Sequence, residues 1–145
     1  MGFFSKLFGT KHTKLELVDS ELGKFDSDYI KGSDVMWLGS VVLFGKSIEL
    51  IMDGNREELS QIHKNIILSA LGDQENLKAE STVAIKQEYD NADLKFISIN
   101  EQLTPVAIST NNEGFQLSFE QNEKPYFYFN VFFENNKQVG VSIDS

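Results

Sequence analysis

Two histidines, His12 and His63, are the only imidazoles in this 145-residue chain, and it has no cysteine. Imidazole is the commonest general base and a frequent zinc ligand, so these two positions set the limit on that chemistry. They lie far apart, and neither His-x-x-x-His nor Glu-x-x-His occurs. A metal site built on them would therefore need carboxylates from elsewhere. His63 falls one helical turn after Leu59 in an apolar-periodic stretch and reads as a packing residue on a helix flank. Without cysteine, thiolate and disulfide chemistry are both excluded.

Nucleophile motifs are missing as well. Gly32-Ser33 and Gly39-Ser40 lack the flanking residues of Gly-x-Ser-x-Gly. Gly45-Lys46-Ser47 matches the end of a phosphate-binding loop, but Ser40 stands where that loop needs its first glycine. The triplet also joins two strand-like runs instead of opening a helix, so it reads as a hairpin turn. Carboxylates are abundant: Glu57, Glu58, Asp73, Glu75, Glu80 and Glu88 fall on or beside helical segments. That abundance is the whole case for a carboxylate-dependent hydrolase, which needs two carboxyls facing each other across a cleft. Asp26, Asp28 and Asp34 cluster near Trp37, yet they lack the further Asp or Asn, the glycine and the final Glu of a calcium loop. They read as solvated surface. The expectation is a non-enzymatic protein with no catalytic residue, no cofactor and no metal.

The elements that would position any site begin with Leu15–Val18 and Lys24–Tyr29, short strands or an extended lead-in. Val35, Trp37, Val41 and Leu43 share one strand parity, and Met36, Leu38, Val42 and Phe44 make the other parity apolar too. That pattern predicts a strand covered on both faces, with Gly39 marking a bulge or a close backbone approach. Ser47–Met52 completes a hairpin. Asn55, with Glu58 three residues on, resembles a capping box ahead of Leu59, Ile62, His63, Ile66, Ile67 and Ala70 at helical spacing. Gly72 suits a left-handed helix end, and Asp73 suits the cap of a second helix reaching Asn91. Leu94–Ile99, Val106–Ser109, Phe115–Phe119, Tyr126–Phe133 and Val139–Ile143 read as strands. The predicted fold is α+β: an antiparallel sheet of about five to seven strands, with a central two-helix hairpin packed on one face.

Charge divides the chain near residue 14. Residues 1–14 hold three of the 13 basic residues and no acidic one, which leaves 10 basic against 22 acidic side chains in residues 15–145, a net charge of −12 there. The domain reading is a basic aromatic tip over 1–14 and one acidic domain over 15–145. Such a body repels nucleic acid and suits a basic protein partner. In the tip, Phe3, Phe4, Leu7 and Phe8 share one helical arc beside Lys6, with Lys11 and Lys14 following. Each apolar side chain is worth ~1.5–3 kcal/mol if fully buried, and each cation adds ~1 kcal/mol near an anionic membrane. The tip therefore suits docking on the body, on a partner or on a membrane surface. Lys6 stands where N-myristoylation wants Ser or Thr, so no lipidation is expected. No apolar stretch reaches the roughly 20 residues of a membrane span or the h-region of a secretory leader. A cytoplasmic location, or one at the inner membrane surface, is the expectation.

From Leu22-Gly23-Lys24-Phe25 through Trp37, Phe44-Gly45-Lys46 and the helical pair to Leu103-Thr104-Pro105 and Phe133, the chain resembles a loose group of bacterial small α+β domains of unknown function. Those domains begin with a "G-x-F … W-x-G" pattern, carry two central helices and end in three strands; the likeness spans roughly residues 22–144. Members often have an acidic-His-Gly segment before the last strands, where this chain has Tyr128-Phe129-Asn130-Val131. Some lie in toxin–immunity gene neighbourhoods. The resemblance implies a stoichiometric binding role, such as an immunity-type inhibitor with an acidic binding face. The alternatives are a peripheral membrane or assembly-docking module acting through the tip, and the carboxylate-dependent hydrolase.

Overall fold

Residues 12–145 are described by a computed structural model. Eight strands form one sheet in chain order: β1 His12–Asp19, β2 Gly23–Ile30, β3 Val35–Leu43, β4 Lys46–Gly54, β5 Leu103–Thr110, β6 Gly114–Gln121, β7 Tyr128–Glu134 and β8 Lys137–Asp144. Between β4 and β5 run α1 Gln61–Leu71, α2 Gln74–Asn91 and the single turn α3 Ile99–Gln102. The α+β class is as expected, with more strands than the five to seven read from the sequence. The lead-in segments account for the difference. They pair along eight register positions, around a turn in which the Asp19 carboxylate accepts the amides of Glu21 and Leu22.

The sheet is also not wholly antiparallel. β4 and β5 run parallel, because the helices carry the chain across before β5 begins. Two four-strand antiparallel ribbons therefore meet at one parallel seam. Two-residue turns close their hairpins at Phe44-Gly45 and Asn135-Asn136, all four residues having φ between 52° and 76°. That left-handed pair matches the strand twist. α1 lies against β4, β5 and β6, and α2 against β7 and β8.

Between helices and sheet sits the core. Trp37, Leu50, Met52, Ile67, Leu77, Ile85, Ile108, Phe115, Leu117, Phe119 and Val131 are fully buried or within a percent of it. Ring pairs add directional packing: Phe115 and Phe133 lie 4.9 Å apart, Tyr89 and Phe129 5.6 Å. Gly39 is a close approach and not a bulge, since a Cβ there would lie 2.6 Å from the Phe25 ring.

Four local expectations are corrected. Asn55 does not open a helix; its side chain accepts the amides of Glu57 and Glu58 in a turn, and Ser60 caps α1 at His63 N. Gly72 ends α1 at φ −82°, so its freedom for positive φ goes unused. Asp73 holds the cap position of α2 without a side-chain cap bond, its carboxylate accepting instead from Asn76 and Asn136. Leu94–Ile99 is not a strand. Gln102 takes the amides of Ile97 and Ser98 and donates to Lys95 O, which turns the segment into α3.

Candidate functional site

Alternation along β1–β4 divides the side chains into two sets. Phe25, Ser27, Val35, Trp37, Leu43, Ile48, Leu50 and Met52 point to the core and are buried. The opposite parity of β3 was expected to be covered as well. Instead Met36, Leu38 and Val42 are 55%, 38% and 61% exposed. The helices occupy a single layer, and no described element packs over this second face.

Registers place carboxylates on both sides of that apolar stripe. One row reads Glu16 on β1, Asp26 on β2, Leu38 on β3 and Ile51 on β4. Across from Ser40 is Glu49, and across from Met36 is Asp53. Lys14 lies opposite Asp28. Glu16, Asp26, Glu49 and Asp53 are exposed and make no ion pair with another described residue. Glu16 directly opposite Asp26 is a like-charge pair, which weakens a ladder when nothing neutralises it.

The outward face of the second ribbon is built differently. Gln116 donates to Ser118 Oγ at 3.2 Å, and Ser118 Oγ to Asn130 Oδ1 at 2.7 Å. Asn130 Nδ2 reaches Ser142 Oγ at 3.2 Å and Asp144 Oδ2 at 2.7 Å. A hydrogen bond with Glu120 pushes the Tyr128 phenol above its ordinary value. This half satisfies its own polar groups.

His63 is buried, as the helix-flank reading requires, and both ring nitrogens are engaged: Nδ1 with Thr110 Oγ1 and Nε2 with Asn112 Oδ1, each at 2.8 Å. It ties α1 to the end of β5. The adjoining depression is lined by Asp34, Asp53, Glu58 and Ser60. Among the described residues no three His, Cys, Asp or Glu side chains are placed to hold a metal ion. Asp26 and Asp28 stand on β2 while Asp34 lies in the β2–β3 loop, so the three do not form one cluster.

A cleft of about 450 Å³ opens beside α3, lined by Tyr89, Leu94, Ile97, Gln102, Gln121 and Pro125. Its amides are spent internally: Gln121 accepts from the Tyr89 hydroxyl at 2.9 Å and donates to Pro125 O at 2.7 Å. Burial raises the Tyr89 phenol above its ordinary value. Glu101 and Glu123 both line the rim. Two-carboxylate hydrolysis sets one carboxyl in a buried apolar pocket, and both of these are exposed.

Of the residues the sequence singled out for docking, Phe3, Phe4, Lys6, Leu7, Phe8 and Lys11 lie outside the described residues, and Lys14 lies within β1. No described helix is long and apolar enough to cross a membrane. Comparison with family models, curated proteins and solved structures found no match to the chain. The acid-bordered stripe was missed in the sequence. Its signal was present in the even-numbered apolar residues of β3 and in Asp26 and Asp28 alternating with Phe25 and Ser27.

Proposed function

We propose that this protein is a non-enzymatic binding domain whose docking surface is the outward face of β1–β4. One observation carries the reading: Met36, Leu38 and Val42 stand exposed on a central strand with carboxylates on both neighbouring strands. Apolar area supplies affinity at about 25 cal/mol per Å² buried. The carboxylates select a basic partner and speed its approach. The −12 of residues 15–145 disfavours nucleic acid and anionic membrane as occupants of this face. An immunity-type inhibitor covering a basic protein surface is the form of this function that the sequence resemblance implies.

The test is a photo-crosslinking amino acid placed at position 38, with position 118 on the self-satisfied half as control. A discrete protein adduct is expected from position 38 alone, abolished by Met36→Lys with Val42→Lys. Equal adducts from both positions, or none from 38, would sink the reading.

A further inference from the structure

We infer that the partner presents a basic amphipathic α-helix, laid along β3. This rests on the binding reading above and specifies what occupies the face.

The first argument is the backbone. A sheet face offers no free N–H or C=O groups, since these lie in the ladder plane, so a segment packed on it must satisfy its own. An extended peptide gains its hydrogen bonds at a sheet edge; a helix brings its own.

The second argument is dimension. Met36 to Val42 spans six residue steps, about 20 Å at roughly 3.3 Å per residue. A helix covers that length with about 13 residues at 1.5 Å each. β2 and β4 each lie about 4.8 Å from β3, which puts the flanking carboxylates about 10 Å apart. That separation equals the ~10 Å diameter of a helix with its side chains.

Charge supplies the third. Asp26 borders the stripe from β2, and Glu49 and Asp53 border it from β4. A helix with an apolar seam and Lys or Arg on both shoulders meets all three, its long side chains reaching outward over the neighbouring strands. Relief of the Glu16–Asp26 opposition adds to the same preference. A second copy would bring one net-acidic face against another, since Glu16, Asp26, Asp28, Glu49 and Asp53 outnumber Lys14 and Lys24 on it.

The test uses the full chain and three fluorescein-labelled Leu/Lys peptides of 14 residues, read by anisotropy and circular dichroism. One has an apolar seam at helical period, one has the same composition at period two, and one is the helical design with Lys replaced by Glu. The helical basic peptide is expected to bind and gain helicity. Asp26→Lys with Glu49→Lys should weaken it about tenfold or more, whereas Glu113→Lys with Glu123→Lys, the same charge change elsewhere, should change it less than about twofold. Equal binding of the period-two or acidic peptide overturns the inference, as does equal weakening by the two charge reversals. Residues 3–8 of this chain have related chemistry. If the peptide binds only after Phe3, Phe4, Leu7 and Phe8 are changed to Ser, the occupant is the chain's own tip and the partner helix is refuted. Failure of all three peptides while position 38 still crosslinks removes the helix and leaves the binding function. Loss of the crosslink removes the function itself.

Discussion

Asp26 lies directly opposite Leu38 where β2 meets β3, and Leu38 lies directly opposite Ile51 on β4. A carboxylate and two aliphatic side chains thus share one transverse row of the outward face. Sheet geometry sets such neighbours about 4.5–5.5 Å apart at Cβ, close enough to act on a single bound side chain.

That adjacency separates binding from stability. Leu38→Lys places a cation opposite Asp26, a favourable cross-strand pair, so stability should change by no more than about 0.5 kcal/mol. Adduct formation from a photo-crosslinker moved to position 40 should nevertheless be lost. Urea unfolding and the crosslink assay, run on the same sample, check both halves of this expectation.

The core side of the same strand behaves in the opposite way. Trp37 is fully buried, and its indole N–H donates to Asn55 O at 2.9 Å, holding the loop that leads to α1. Trp37→Phe removes that donor and leaves space behind. The expected cost is about 1–3 kcal/mol, seen as a lower urea midpoint with an unchanged slope.

Gly114 tests the β6–β7 pairing. A Cβ built there would overlap Phe133 O, a backbone atom that cannot swing aside. Gly114→Ala should destabilise by about 3 kcal/mol, and thermal unfolding followed by circular dichroism measures the loss. Gly45 sits at φ 76° with open space around it, so Gly45→Ala meets no neighbour and carries only the strain of a Cβ in the left-handed region, about 1 kcal/mol.

Lys64 on α1 bridges Asp19 and Glu21, at 2.9 Å to each. Burial pushes the Asp19 carboxyl up, but the Lys64 hydrogen bond and the Glu21 and Leu22 amides outweigh it and hold the group below 3.8. Its contribution to stability is present above 3.8 and fades as pH falls through the lowered folded value. Hydrogen bonds that the Lys64 ammonium donates to Glu21 and then to Asp19 hold it above 10.5. Its contribution is present below 10.5 and fades as pH rises through the raised folded value. Lys64→Met should flatten urea midpoints at both ends of the pH scale; a profile identical to the parent protein's would refute the role of the bridge.

Local signals in the sequence were readable where neighbouring residues decided the outcome. The hairpin turn read at Gly45-Lys46-Ser47 is present, shifted one residue to Phe44-Gly45, where both residues are left-handed. Leu77, Ser81, Ala84, Ile85 and Tyr89 recur at helical spacing, and that face of α2 is buried. Remote partners decided the rest. Leu94–Ile99 has strand-like composition, but Gln102 captures its amides. β3 is apolar at both parities, and periodicity alone does not say which one the helices will cover. The binding face is further out of reach, because Asp26, Leu38 and Glu49 become neighbours only through the order β2–β3–β4. No spacing along the chain encodes that order.

The single parallel seam has a dynamic consequence. β4 and β5 pair at Glu49–Ala107, Leu50–Ile108 and Ile51–Ser109 only, while β3–β4 and β5–β6 pair along most of their length. Each ribbon is a run of local hairpins that opens with its own free energies. Inside the first one β2 meets β3 at a single register position, Asp26–Leu38, which a ligand on this face also bridges. A ligand seated on the first ribbon shields that ribbon directly and reaches the second through three rungs and the helices above them. Amide exchange should therefore slow in residues 14–53 on binding and stay nearly unchanged in residues 114–144. In kinetic terms, this sheet holds two clocks.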